Sequence, residues 1–233
     1  MRPEVEYSPV GEGLGMRDFW LYAWMRRAAV IGARITALGL TLVISVLSRP
    51  GTSLFSWHPT LMSFAYCLCL TEGILVLSAE GSPFCCKSRT ANVRLHWFCQ
   101  ALVLVAAATG VSFMVACKNL SELSHLVSWH SCLGACTVAS TLLQALFGVF
   151  MIFSKLLRLS ASLQRLKLYH ATCGLVVYLL ATVTVVLAMF SDWFQASVNR
   201  AAWWGLLLAP LFPALVVMNQ ITNAYLPRKK ITS

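Results

Sequence analysis

The stretch "VSWHSCLGACTVASTLLQALFGVFMIFS", residues 127–154, decides the fold: it opens on a histidine and then carries no charged side chain. An α-helix needs about 20 such residues to cross a hydrocarbon core about 30 Å thick. The same Ser-Trp-His heads a second apolar run, "FSWHPTLMSFAYCLCL", residues 55–70. The chain holds only five histidines in 233 residues, so a repeated histidine at the mouth of two membrane-length segments asks for a reason.

Working outward, further charge-free runs cover 95–117, 168–191 and 201–227. Residues 51–71 are charge-free up to Glu72 and stay apolar through Ser78, while 28–48 contains Arg34 close to its start. An arginine there can extend to the interface. The run 123–154 is longer than a span needs, so part of it belongs to a loop. The pattern predicts an all-α integral membrane protein of six transmembrane helices over 28–227. An N-terminal segment, 1–27, with an interfacial helix precedes them, and a basic tail, 228–233, follows.

Composition agrees. Hydrophobic residues make up 58% and charged ones 11%, against about 25% charged in soluble domains. Residues 1–18 carry Glu4, Glu6, Glu12 and Asp18 and no apolar core of a signal peptide, so none is expected. Most of the nine cysteines lie inside apolar runs and read as small hydrophobes. Cys85 and Cys86, beside a basic loop, are a candidate palmitoylation site.

The net charge of +10 sits in loops, and no nucleic-acid partner is expected. Arg2, Arg17, Arg26 and Arg27 precede the first span, and Lys87, Arg89 and Arg94 lie between the second and third. Lys155, Arg158, Arg165 and Lys167 separate the fourth and fifth, and Arg228, Lys229 and Lys230 close the chain. The opposite side keeps only Arg49, Lys118 and Arg200. That asymmetry predicts both termini in the cytoplasm.

Four histidines then fall into order. His58 and His130 open the second and fourth spans near the non-cytoplasmic face; His96 and His170 open the third and fifth near the cytoplasmic face. "RLHW" and "KLYH" lead into the second pair as Ser-Trp-His leads into the first, with nearly equal offsets (58 to 130, 96 to 170). The near-constancy suggests two parallel copies of a helical hairpin. Two neutral imidazoles facing across a bundle supply the axial ligands of a six-coordinate haem iron, whereas a closed zinc site wants four ligands. Gly134 and Gly174 each follow a histidine by four residues, removing bulk on the face where a porphyrin would pack. Pro59 is read as first-turn proline. The predicted arrangement is a central bundle of spans two to five holding two haems about 20 Å apart along the membrane normal.

At these residues the chain resembles the cytochrome b561 family, in particular the short cytochrome b561 domain-containing proteins. "FSWHP" is similar to that family's opening of the second helix, and "SWHSCLG" to its His-Ser-x-x-Gly opening of the fourth. The resemblance implies two non-covalent haem b groups per chain, ligated by His58 with His130 and His96 with His170, and a homodimer in an endomembrane or the plasma membrane. It further implies a cytoplasmic ascorbate donor and a monodehydroascorbate or ferric-chelate acceptor on the far side.

Ascorbate is an anion, so Arg94 and Lys167, with Lys87, Arg89 and Arg165 and the neighbouring Tyr169, are donor-side candidates. Many family members place Asn five residues before the fourth-helix ligand; here that residue is His125, which can ligate ferric iron or move a proton. Lys118 can attract an anionic chelate beside it. Glu72, an acid within a span, is a functional candidate with Arg34 as its possible partner. Two other readings stay open: an ion or proton transporter using the histidines directly, hinted at by Pro210 and Pro213, and a haem-binding scaffold without reductase activity.

Overall fold

A computed structural model describes residues 16–78, 88–154 and 163–225. The candidates Lys87, Cys85 and Cys86, the basic tail and residues 1–15 lie outside them. All regular structure among the described residues is helical. Five helices are long and apolar enough to cross a membrane: Trp20–Ser48, Arg89–Leu120, Trp129–Phe153, Gln164–Ala188 and Arg200–Ala224.

Helix α1, Met16–Ser48, runs without a break across the boundary expected at residue 28, so residues 16–27 form the first turns of the same helix. The next segment is composite: α2, Leu54–Met62, passes into a π-helical stretch, Ser63–Cys69, and then into α3, Leu70–Leu75. The helix begins earlier than Pro59 suggests. Ser53 caps it, its hydroxyl accepting from the Ser56 N–H while the Ser56 hydroxyl accepts from the Ser53 N–H. Pro59 therefore stands inside the helix, not in its first turn, and offers no N–H to the Phe55 carbonyl. The π stretch follows one turn later. Thr41 of α1 donates to the Ser63 carbonyl there at 3.2 Å.

Helix α4, Arg89–Leu120, is N-capped by Ser88 and ends in a loop containing Glu122 and Leu126 at positive φ. That loop takes up the excess length of the fourth apolar run. Helix α5, Trp129–Ser154, starts at Ser128, whose hydroxyl accepts from the Ser131 N–H. The two Ser-Trp-His copies thus differ locally: Ser56 lies in the first turn of its helix, whereas Ser128 precedes its own. Helix α6, Leu163–Ala188, leads into the short α7, Asp192–Ser197, capped by Ser191, and then α8, Arg200–Leu208. The last apolar run is not one straight helix. Pro210 and Pro213 lack the N–H groups that would continue the ladder, and α9, Leu211–Tyr225, restarts after a turn.

Helices cross where side chains are small. Ala33 and Ala65 are fully buried, and Ala107, Ala181 and Ala214 are nearly so; close backbone approach is what drives packing between helices in lipid. Large apolar residues such as Leu143, Val105 and Val176 face outward, as expected where the solvent is hydrocarbon.

Candidate functional site

The bundle brings the four predicted histidines together in the predicted pairs. The His58 and His130 ring centres lie 6.3 Å apart at an interplanar angle of 83°, and those of His96 and His170 lie 6.3 Å apart at 80°. His58 stands near the start of α2, whereas His96 is bonded at the far end of α3, so the pairs occupy opposite ends of the bundle. At 1.5 Å per residue, the helix from His58 to Gly73 puts them about 20 Å apart.

Each ring is held from its Nδ1 side. His58 Nδ1 lies 3.0 Å from the Gly110 carbonyl, His130 Nδ1 3.0 Å from that of Thr184, and His96 Nδ1 2.6 Å from that of Gly73. A carbonyl only accepts, so Nδ1 carries the hydrogen and Nε2 keeps its lone pair, the tautomer a metal ligand needs. His170 differs. The Gln144 amide nitrogen donates to the His170 carbonyl at 2.6 Å and lies 3.1 Å from its Nδ1. A half-turn of that amide would offer its oxygen to an Nδ1–H instead. Phe147 packs edge-on against the same ring at 5.6 Å.

These partners left little trace in the sequence. The Gly73 carbonyl lies in the last turn of α3, where the carbonyls of Glu72 and Ile74 take the Val76 and Leu77 N–H groups; Ile74 also receives the Gln220 amide at 3.1 Å. Both orienting glycines sit at close helix crossings. A Cβ on Gly73 would lie 3.0 Å from Cys99 Cβ and 2.8 Å from Gln100 Nε2, and one on Gly110 would lie 3.2 Å from Leu61 Cβ. Gln144, the one amide side chain in α5, was the legible signal. The glycines singled out for haem packing face the orienting residues: a Cβ on Gly174 would meet Gln144 Nε2 at 2.9 Å, and one on Gly134 would meet Thr184 Cγ2 at 3.6 Å.

Do these residues fit a haem iron? With a metal–nitrogen bond of about 2 Å and roughly 1.2 Å from nitrogen to ring centre, two trans imidazoles stand about 6.4 Å apart, centre to centre. Both pairs match that spacing. Among the described residues no group of three or more His, Cys, Asp or Glu gathers that could cage a metal. The residues fit a two-ligand axial site.

Other candidates fall at the two ends. Arg94, Arg165 and Tyr169 are exposed and Lys167 is half-buried, on the opening turns of α4 and α6; Arg89 is exposed at the first residue of α4. At the opposite end, Lys118 Nζ donates to the Ser124 carbonyl at 2.7 Å, and His125 Nε2 lies 2.7 Å from Asn119 Oδ1. Lys118, in the last turn of α4, and His125, in the exposed loop that follows, are therefore held at the same end of the bundle. Arg34 and Glu72 do meet, Nε to Oε2 at 3.3 Å.

Fold and site together define a class: an all-helical, multi-pass membrane protein with a facing pair of histidines at each end of its bundle. The family model for eukaryotic cytochrome b561 matches residues 57–195, and the chain belongs to that family. It is 53% identical over 215 residues to the Mus musculus protein named "Probable transmembrane reductase CYB561D1", covering 92% of this chain and 93% of that one. It is 44% identical over 211 residues to the Homo sapiens "Transmembrane reductase CYB561D2", covering 91% and 95%. A more distant relative, at 32% over 135 residues, is the Oryza sativa subsp. japonica "Probable ascorbate-specific transmembrane electron transporter 1", covering 58% of this chain and 55% of that one.

Proposed function

We propose that this chain is a di-haem transmembrane reductase that passes single electrons from cytoplasmic ascorbate to a ferric chelate or monodehydroascorbate on the other side. The observation that carries the reading is the pair of 6.3 Å imidazole spacings at opposite ends of one bundle. Bound haem b would supply the one-electron chemistry, and the protein the geometry around it. His58 and His130 hold the outer group and His96 and His170 the inner one. The Gly110, Thr184 and Gly73 carbonyls fix the orientations of His58, His130 and His96 and raise the basicity of their ligating nitrogens, and Gln144 holds the backbone at His170.

Between the two histidine pairs, several interior hydroxyls among the described residues are hydrogen-bonded. Tyr178 shares a hydrogen bond with Thr71 at 2.8 Å, Thr137 one with Thr184 at 2.9 Å, and Thr141 donates to the Thr137 carbonyl at 2.7 Å. With the composite segment 54–75 as a sixth crossing beside the five longer spans, both termini lie on one side, and the basic residues flanking the spans make that side the cytoplasm. The domain spans 28–227, and the protein works as a homodimer in an endomembrane or the plasma membrane.

Arg94 and Lys167, with Lys87, Arg89 and Arg165, draw the ascorbate anion to the inner end, beside Tyr169. The His125 imidazole and the Lys118 ammonium meet the acceptor at the outer end, the first as a ligand or proton carrier and the second as a counter-charge. The test is a proteoliposome with ascorbate trapped inside and a membrane-impermeant ferric chelate outside. Reduction outside that requires both internal ascorbate and the protein is expected. Haem that ascorbate cannot reduce would leave a binding protein and refute the reductase.

A further inference from the structure

At the end of the bundle that carries His96 and His170, α1, the turn after α3 and α9 enclose a half-open cleft of about 180 Å³. Its lining is sorted by depth. Helix α1 contributes Arg26 and, one turn further in, Val30. Helix α9 runs the opposite way and contributes Asn219 and Gln220 near its end, with Val216 and Phe212 further in. Polar groups therefore rim the cleft and apolar ones floor it on both antiparallel helices.

Two polar atoms in its wall have no partner among the described residues. Ser78 is 6% exposed and its Oγ makes no hydrogen bond. Gln220 spends its Nε2 on the Ile74 carbonyl, and its buried Oε1 receives nothing. Buried polar groups are nearly always satisfied, so an orphan pair lining a cleft points to a ligand that satisfies them. Gln220 Oε1 can only accept, which asks for a ligand with a hydroxyl or ammonium donor. Arg26 offers a guanidinium suited to a phosphate; it lies over the Tyr22 ring, 5.7 Å from its centre.

We propose that this cleft binds one anionic phospholipid with a hydroxylated head group, of the inositol or glycerol class. The phosphate sits at Arg26, head-group hydroxyls meet Gln220 Oε1 and Ser78 Oγ, and the upper acyl chain lies on Val30, Val216 and Phe212. The apolar floor selects an amphiphile over a soluble anion, and the orphan acceptor selects against choline, which donates no hydrogen bond. The site is separate from the histidine pairs. Gln220 couples it to them, because its amide holds the Ile74 carbonyl next to Gly73, the residue that orients His96.

The full-length protein, purified in detergent with equal phosphatidylinositol, phosphatidylglycerol and phosphatidylcholine, is analysed by native mass spectrometry. One retained phosphatidylinositol or phosphatidylglycerol per chain is expected, about tenfold over phosphatidylcholine. R26Q and S78A each abolish that preference, and R27Q, at an exposed neighbour, keeps it. S78A removes a single unpartnered hydroxyl and carries the test alone if R26Q does not fold. Equal retention of the three lipids, or a preference that survives both substitutions, overturns the proposal. Displacement of the lipid by soluble inositol phosphate or glycerol phosphate at comparable concentration would make this a soluble-anion site and overturn the lipid assignment.

Discussion

Replacing Gly73 by alanine should damage one histidine site and spare the other. A Cβ there would stand 3.0 Å from Cys99 Cβ, whereas carbon atoms settle at about 3.5–4.0 Å. Gln100 can swing its amide aside, but Cys99 Cβ is fixed to the α4 backbone, so α3 and α4 must part by about 0.5–1 Å. The hydrogen bond from His96 Nδ1 to the Gly73 carbonyl, 2.6 Å long, would stretch to about 3.1–3.6 Å and largely lose its strength. A lost hydrogen bond of this kind costs about 0.5–1.5 kcal/mol. Removing the orienting partner of a metal ligand commonly weakens metal binding about 10- to 100-fold. The inner site should therefore lose roughly tenfold in haem affinity, while the outer, about 20 Å away, keeps its own. Haem per chain, measured by alkaline pyridine spectroscopy after dilution, should fall towards half. Gly39→Ala is the control: its Cβ would meet nothing within 4 Å, and as a helix-interior glycine it should gain about 0.5–1 kcal/mol of stability. Full haem retention in G73A, with an unchanged ascorbate-reduced spectrum, would refute the reasoning.

Arg34→Leu leaves Glu72 without its ion-pair partner. Breaking a buried pair costs about 3–5 kcal/mol; because Glu72 retains 28% exposure, about 2 kcal/mol is expected after screening, read as a lower melting temperature in detergent. The double variant R34L/E72L should recover most of that loss, and additive losses would show that the pair is not coupled. Ser53→Ala removes the reciprocal cap of α2, costs about 1 kcal/mol and loosens the His58 side only; equal loss at both sites would contradict it. His125→Ala and Lys118→Ala should each raise the KM for an anionic ferric chelate several-fold while leaving haem reduction by ascorbate unchanged. Slowed reduction by ascorbate would move these residues away from the acceptor end.

Charge-free runs and histidine positions were enough to read the helical membrane architecture and the pairing of His58 with His130 and His96 with His170. What remained hidden depends on backbone geometry. The π stretch at Ser63–Cys69 alters hydrogen-bond register inside an apolar run without changing its polarity. Pro59 was misplaced because the Ser53–Ser56 box starts the helix a turn sooner than proline alone suggests. The carbonyls of Gly73, Gly110 and Thr184 are invisible because every residue has one; what selects them is close helix approach. Arg26 and Arg27 stood in the segment expected to precede the first span, and α1 runs through both without a break. The Arg34–Glu72 pair was legible as two charges in apolar runs that could be partners, and the fold brings them into contact.

Haem quantitation on single-histidine variants bears hardest on the whole interpretation. The parent chain should bind two b-type haems, both reducible by ascorbate. Alanine at His58 or His130 should remove the same one, and alanine at His96 or His170 the other, leaving one haem per chain with a distinct reduced-minus-oxidised band. A parent without haem, or variants in which the loss does not follow these pairs, would contradict it.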